Sequence, residues 1–196
     1  DCNCLEEVCG ACTMVINGHV RQSCSALVDE LLEDTEGDAI VLEPMSKFPV
    51  MRDLWVDRQR MFDTLKRIKG WVPIDGTHDL GAGPTESPDD QDVRYRLSTC
   101  MTCGCCLEAC PQFTIDNNFV GAAAISQTRY FNQHDTGAEL KGDRLDTMME
   151  AGGINDCGNA QNCVKVCPKE IPLTESIAAI GRQTTVHAIK NFFSGK

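Results

Sequence analysis

The spacing of apolar residues predicts that the 196-residue chain is mostly helical after residue 50. Apolar positions recur with the period of an α-helix over residues 121–133, 139–151 and 173–193, and the last stretch begins directly after Pro172. The same period over residues 51–69, with Arg and Lys between the apolar positions, predicts one more amphipathic helix.

The first 50 residues show strand patterns instead. Residues 13–16 and 19–23 flank the Asn-Gly pair at 17–18, which favours a tight hairpin because both residues tolerate positive φ. A helix is predicted over residues 25–32 and a closing strand over 39–43. These elements together predict a small α+β unit.

Residues 70–92 are rich in Gly, Pro and Asp, and we expect an irregular surface linker there. The aromatic side chains of Trp55, Phe62 and Trp71 lie before and within this stretch. We interpret them as core residues and not as an electron path, because aromatic residues at helical spacing usually pack in cores.

Thirteen cysteines change this picture, because they lie in three clusters and two of the clusters repeat one spacing. In the first repeat, gaps of two, two and three residues separate Cys100, Cys103, Cys106 and Cys110, and proline follows. Bacterial ferredoxins bind 4Fe-4S clusters with this pattern.

The second repeat keeps the register of the first but lacks one cysteine, since Ala160 stands where the second ligand would be. In two-cluster ferredoxins the fourth cysteine of each run binds the other cluster. The pattern therefore assigns one 4Fe-4S site to Cys100, Cys103, Cys106 and Cys167. It assigns a second site to Cys110, Cys157 and Cys163. Alanine offers no lone pair to a fourth iron, so we expect a 3Fe-4S cluster at this second site.

The N-terminal cysteines have gaps of four and two residues and a distant fourth member, which is the plant-type 2Fe-2S pattern. The predicted ligands are Cys4, Cys9, Cys12 and Cys24. The predicted hairpin would return the fourth cysteine to the loop, and Gly10 would let the loop bend round the cluster. A structural zinc site is the alternative, although zinc sites favour paired CxxC knuckles.

Two cysteines fall outside these registers. We expect Cys105 to be a small buried side chain beside a cluster and Cys2 to be a loop residue.

The four histidines are dispersed, and no catalytic dyad or nucleophile is evident. Clustered cysteines without a secretory signal indicate metal binding in a reducing compartment. A net charge of -11 argues against a nucleic-acid partner. No stretch is long and apolar enough for a membrane span.

The chain combines a plant-type 2Fe-2S module with a helical ferredoxin module that lacks one cysteine. This combination resembles the iron-sulfur subunit of succinate dehydrogenase and fumarate reductase, the complex II family. The amino-acid sequences of residues 1–12, 100–106 and 110–112 are similar to those of Gram-positive members of this family. The resemblance implies an α+β protein with two domains. Residues 1–50 would be a partial β-grasp 2Fe-2S domain whose N-terminal segment is missing, and residues 51–196 a helical 4Fe-4S/3Fe-4S domain.

The resemblance also implies partners and a role. The implied partners are a flavoprotein subunit that carries FAD, a membrane-anchor cytochrome b subunit and a quinone. The chain would pass electrons from flavin through 2Fe-2S, 4Fe-4S and 3Fe-4S clusters to the quinone, at the cytoplasmic face of the bacterial plasma membrane. Substrate-converting residues are not expected in this chain, and succinate oxidation is preferred over fumarate reduction.

Relatives that use ubiquinone have a tryptophan shortly after the first Cys-Pro and a histidine after the first cysteine of the second run. Thr114, Ile115 and Gly158 stand in those neighbourhoods here, and menaquinone is therefore predicted, with Gln112 or Asn117 as possible donors. Two alternatives to the whole interpretation remain. One is the iron-sulfur subunit of another respiratory dehydrogenase, and the other is an iron-sulfur sensor or structural module.

Overall fold

The computed structural model describes residues 3–35, 39–73 and 85–195. Its strands are β1 (Thr13–Ile16), β2 (His19–Gln22), β3 (Leu42–Glu43), β4 (Val50–Arg52) and β5 (Trp55–Val56). Its α-helices are α1 (Val28–Glu33), α2 (Gln59–Arg67), α3 (Pro88–Ser98), α4 (Cys105–Glu108), α5 (Gly121–Gln133), α6 (Lys141–Met149), α7 (Asn162–Lys165) and α8 (Leu173–Ser194). Short 3-10 turns cover Ser23–Ser25, Gly137–Leu140 and Ile154–Asp156. Small sheets followed by helices confirm the predicted α+β class.

The predicted N-terminal hairpin is confirmed. Strands β1 and β2 pair antiparallel, and the turn residues Asn17 and Gly18 both have positive φ, at 49° and 78°. Strand β3 pairs with the other edge of β1, where the Asn17 amide donates to the Val41 carbonyl at 2.9 Å. The resulting sheet has the order β2-β1-β3 and returns the chain towards the first cysteine loop.

The helix predicted over residues 51–69 is wrong in its first half. Strands β4 and β5 form a second hairpin there, with Asp53 in its turn at φ 50°. The helix begins only at Gln59, whose amide donates to the Asp57 carboxylate at 2.8 Å. The later start sets which side chains face inward, and among these Met61 and Ile68 are buried.

The three aromatic side chains interpreted as core are exposed, so that interpretation is wrong. Trp55 is 54% exposed, Phe62 56% and Trp71 45%. Trp55 lies in the second hairpin and not on a helix, while Phe62 points away from the buried face of α2. The helical period was assigned to residues 51–69, a stretch that changes from strand to helix.

Helix α3 begins inside the region predicted as an irregular linker. Ser87 caps it by accepting the Asp90 amide at 3.2 Å, and Pro88 occupies the first turn. This Ser-Pro pair is a helix-start signal that the linker prediction missed. Residues 74–84 of that region lie outside the described residues. The other predicted helices are confirmed as α5, α6 and α8, and the helix predicted over 25–32 is α1 after one 3-10 turn.

Helix α5 forms the centre of the helical region and packs against α3, α4, α6 and α8. One hydrophobic cluster joins Ile125 of α5, Met148 of α6 and Ile180 of α8. The same cluster includes Met45 and Phe48, which precede the second hairpin. This core thus runs from Met45, after the N-terminal sheet, to the last helix.

Arg144 of α6 is the largest fully buried side chain among the described residues. Its guanidinium donates to the carbonyls of Lys69 at 3.0 Å, Trp71 at 2.8 Å and Gly137 at 2.6 Å, and to the Asn132 side chain at 3.2 Å. One charged group therefore satisfies acceptors from three separate segments around α6.

We predict that Arg144→Met lowers the free energy of unfolding by about 3 kcal/mol or more, because each buried acceptor left without its donor costs about 1–3 kcal/mol. Denaturant unfolding followed by helical circular dichroism, at matched iron content, measures the loss. Arg96→Met, on the exposed face of α3, is the control and should stay within about 0.5 kcal/mol of the parent. An equal loss in both variants would contradict the assignment.

Candidate iron-sulfur sites

The first cysteine loop directs backbone amides towards sulfur. The amides of Glu6, Val8 and Cys9 donate to the Cys4 Sγ at 3.3–3.4 Å. The hydrogen bonds from Glu6 and then Val8 lower the pKa of the Cys4 thiol to about 6. A thiolate is the form of cysteine that binds iron, so the backbone prepares this side chain as a ligand at neutral pH.

The same loop extends this pattern to two other cysteines. The Glu7 amide donates to the Cys24 Sγ and the Ala11 amide to the Cys9 Sγ, both at 3.4 Å. Glu7 has positive φ, which helps the loop to turn its amides inward. Amide donors to sulfur are one means by which proteins tune iron-sulfur clusters.

The two ferredoxin runs fold alike in spite of the missing cysteine. Thr102 and Gly104 have positive φ in the first run, and Asn159 and Gln161 have positive φ at the equivalent positions of the second. Helix α4 begins directly after Gly104, and α7 directly after Gln161. Ala160 therefore occupies a ligand position in a loop that keeps the ferredoxin conformation.

The structure brings the cysteines of the two runs together around two small cavities. One is lined by Cys100, Cys103, Cys106 and Cys167. The other is lined by Cys110, Cys157, Cys163 and Ala160. Each cavity thus receives one cysteine from the opposite run, as the sequence pattern predicts for cluster ligands. That these cysteines bind the clusters stays a prediction.

Several cysteines of the helical region are buried and have raised thiol pKa values. Burial raises the pKa of Cys106 well above its ordinary value, and the nearby thiols of Cys103, Cys100 and Cys167 add to the effect. Burial also raises the pKa of Cys163, next to Cys110. If these thiols bind a cluster, iron must displace their protons, and cluster insertion there would release protons.

Donor type, amide orientation and cavity lining all fit iron-sulfur clusters. The described cysteines form no disulfides. Among residues 3–35, 39–73 and 85–195, no group of three or more His, Cys, Asp or Glu side chains is placed to hold a single metal ion. Cys105 is 1% exposed, as expected of a small buried side chain, whereas Cys2 lies outside the described residues.

The backbones of the first loop and the first ferredoxin run touch at Gly10 and Cys103. Gly10 has φ 69°, and a Cβ atom there would lie 2.8 Å from both the Cα and the Cβ of Cys103. Only glycine fits this approach. The first cysteine site and the first ferredoxin site are therefore in direct contact.

Gln22 links the same two sites from the end of β2. Its Oε1 lies 3.4 Å from the Cys12 Sγ, while its Nε2 lies 3.5 Å from the Cys105 Sγ and donates to the Thr13 Oγ1 at 2.6 Å. Gln22 is only 1% exposed. Sequence reasoning missed this residue, because a glutamine at the end of a strand carries no signal of burial.

Arg58 is the second residue that sequence reasoning missed. Its guanidinium donates to the Gly10 carbonyl and, at 3.0 Å, to the Ala11 carbonyl. Burial lowers the pKa of Arg58, and the nearby sulfurs of Cys103 and other cysteines of both sites oppose this shift. A positive charge therefore lies between the two sets of thiols and clamps the first loop.

Two family models match the chain. A 2Fe-2S iron-sulfur cluster binding domain matches residues 1–63, and a 4Fe-4S dicluster domain matches residues 96–171. The first match favours iron-sulfur over the zinc alternative for the N-terminal cysteines. The dicluster match agrees with the two adjacent cavities.

The chain is similar over nearly its whole length to iron-sulfur subunits of two enzymes. It is 58% identical over 193 residues to the succinate dehydrogenase iron-sulfur subunit of Bacillus subtilis strain 168, covering 98% of this chain and 74% of the relative. It is 30% identical to the fumarate reductase iron-sulfur subunit of Wolinella succinogenes, covering 92% of this chain and 74% of the relative.

A solved structure supports the fold. The chain matches one chain of the Mycobacterium smegmatis Sdh1 complex in the apo form with a TM-score of 0.75 at 24% identity. The match covers 93% of this chain and 75% of the other. At that identity the match concerns the fold alone.

We predict that Arg58→Gln lowers the reduction potential of the 2Fe-2S centre by about 60 mV, a tenfold change in a one-electron equilibrium. A nearby cation stabilises the extra negative charge of the reduced centre, and the variant removes it. Redox titration followed by electron paramagnetic resonance measures the shift.

Two controls separate charge from packing. Arg58→Lys keeps the charge and should keep most of the potential. Arg52→Gln removes an exposed arginine that pairs with Asp53 and contacts no cysteine loop, and it should leave the potential unchanged. Identical potentials in Arg58→Gln and the parent would exclude this role for Arg58.

Proposed function

The chain belongs to the family of iron-sulfur subunits of succinate dehydrogenase and fumarate reductase, and from this membership we propose that it carries electrons from a flavoprotein to a quinone. The observation that carries the proposal is the contact between successive cysteine sites. The first loop touches the first ferredoxin run at Gly10, and Cys106 of that run lies near Cys163 of the next. The three sites thus form one series.

We infer the following ligands. Cys4, Cys9, Cys12 and Cys24 hold a 2Fe-2S cluster. Cys100, Cys103, Cys106 and Cys167 hold a 4Fe-4S cluster, and Cys110, Cys157 and Cys163 hold a 3Fe-4S cluster. When bound, such clusters supply reversible one-electron carriers whose potentials depend on the surroundings.

The residues of the chain position the sites and control their surroundings. Leu107 and Phe113 are buried beside the ferredoxin runs and keep water away from them. Backbone amides donate to the sulfurs of the first loop, and Arg58 supplies a cation between the first two sites. The chain itself converts no substrate, so the chemistry on succinate belongs to a partner subunit.

Succinate oxidation is the preferred direction. The identity to the Bacillus subtilis succinate dehydrogenase subunit is 58%, against 30% to the Wolinella succinogenes fumarate reductase subunit. The reduction potentials of the clusters determine the physiological direction of electron flow.

The partners follow from the family role. We propose that an FAD-containing flavoprotein covers the first cysteine loop, where Leu5 is 65% and Val8 57% exposed. A cytochrome b anchor would hold the subunit at the cytoplasmic face of the bacterial membrane. Among the residues that the structure describes, no helix is long and apolar enough to cross a membrane.

We propose that the quinone is menaquinone and that Gln112 is its donor in this chain. Gln112 lines the cavity of Ala160, and its Nε2 would lie 2.7 Å from a Cβ atom at Gly158. Glycine at 158 therefore leaves room for the Gln112 amide. Asn117 is less suited, because its side chain already bonds Arg60 and the Gln112 carbonyl.

Ala160→Cys should convert the 3Fe-4S centre to a 4Fe-4S centre, because it restores the fourth thiolate in a loop that already has the ferredoxin conformation. Low-temperature electron paramagnetic resonance of the oxidised complex would then lose the 3Fe signal. Ala160→Ser is the matched control for side-chain size. An unchanged 3Fe signal in folded, iron-replete Ala160→Cys protein would reject the ligand register.

The functional proposal predicts that the untagged complex contains a flavoprotein and reduces a dye with succinate. It also predicts faster reduction of menaquinone analogues than of ubiquinone analogues. Gln112→Leu should raise the KM for quinone about tenfold and leave succinate-dye reduction unchanged, since one hydrogen bond is lost. Gln91→Leu, on the exposed face of α3, is the control.

Absence of succinate-dependent dye reduction would reject the function. Normal dye reduction with a clear preference for ubiquinone would reject only the quinone proposal.

A further inference from the structure

A groove between α6 and α8 collects positive charge on an acidic protein. Lys141 of α6 and Arg182 and Lys190 of α8 line it, with Leu145 and Val186 beside them. The whole chain carries a net charge of -11, so this local cluster opposes the overall sign. The groove lies outside the cysteine sites.

The three cations have no acceptor within the described residues. Among the described residues, neither an ion pair nor a hydrogen bond involves the head groups of Lys141, Arg182 or Lys190, whereas Arg67, Lys69 and Arg129 elsewhere in the chain are paired. His187 also lines the groove, and it contacts the Asp146 carboxylate at 2.8 Å. A neutral imidazole leaves the Asp146 carboxylate charged, but the three cations of the groove outnumber this one carboxylate, so the groove is positive on balance.

An exposed apolar stripe continues from the groove along α8. Val186, Ile189 and Phe193 are spaced as one helix face and are 46%, 53% and 82% exposed. Phe192 is 81% exposed, and its ring stacks edge-on against Phe193 at a centroid distance of 5.5 Å. Val186 belongs to both features, so the groove and the stripe form one surface.

We propose that this surface, the basic end of α8, binds anionic phospholipid at the membrane face. Amphipathic helices that lie on membranes combine Phe and Leu-like residues with Lys and Arg in this way. Each cation near the surface is attracted to anionic lipid, and its long side chain can reach the headgroup phosphates. The proposal does not depend on the quinone, the clusters or the direction of electron flow.

Lipid fits this surface better than a protein partner. The aromatic rings project from the end of a helix and do not line a pocket, so a protein partner would need a matching cavity. Acyl chains accept a projecting ring without one. The exposed apolar area of this stripe is also larger than that of the single apolar residues scattered over most protein surfaces.

The test is co-sedimentation of the complete, cluster-loaded chain with lipid vesicles. Vesicles of equal amounts of phosphatidylglycerol and phosphatidylcholine should bind it about tenfold more tightly than vesicles of phosphatidylcholine alone. Lys141→Glu with Lys190→Glu, and separately Phe192→Ser with Phe193→Ser, should each weaken binding to anionic vesicles about tenfold. Phe192 lies about 28 Å along α8 from Leu173, so iron content should not change.

Matched controls are Lys66→Glu and Phe62→Ser, which change an exposed lysine and a 56% exposed phenylalanine on α2. They should bind vesicles as the parent does. Equal binding by all variants, no binding by the parent, or binding of inorganic phosphate without vesicle binding would overturn the proposal. Variants that bind vesicles normally but no longer co-purify with the flavoprotein would also overturn it, because the surface would then be a protein contact.

Discussion

The close approach of two backbones at Gly10 and Cys103 is the constraint on which the arrangement of sites depends. A side chain at residue 10 would push the first loop away from the first ferredoxin run. Arg58 holds the loop from one side through two carbonyls, and Gln22 joins Cys12 and Cys105 from the other. Because electron transfer weakens steeply with distance, this contact would favour transfer between clusters bound by the N-terminal loop and by the first ferredoxin run.

The rest of the packing maintains that contact. Glu108 of α4 accepts the amides of Ser46 at 2.8 Å and Lys47 at 3.1 Å, and thereby ties the end of the N-terminal sheet to the ferredoxin run. Met45 and Phe48 pack in the same core as α5 and α8. The domain boundary placed at residue 50 stays a prediction, and the packing of Met45 and Phe48 shows that residues just before it contribute to the core of the helical region.

The sequence was most informative where local chemistry sets the structure. Cysteine spacing predicted which cysteines of the two runs line the same cavity. The long apolar periods of α5 and α8 could be assigned because each covers several helical turns. The second hairpin was missed because β4 and β5 are only two or three residues long and depend on pairing with each other. Arg144, Gln22 and Arg58 could not be identified, because their partners come from segments distant in sequence.

The exposure of the first cysteine loop has a consequence for how a cell must handle this subunit. Leu5 and Val8, between the first ligands, face solvent, whereas Cys103 and Cys106 are buried. If the first loop holds the proposed 2Fe-2S cluster, dissolved oxygen and chelators would reach that cluster before the clusters of the ferredoxin runs. If the proposed flavoprotein covers this loop, the order of cluster insertion and subunit docking would decide how long the cluster stays exposed.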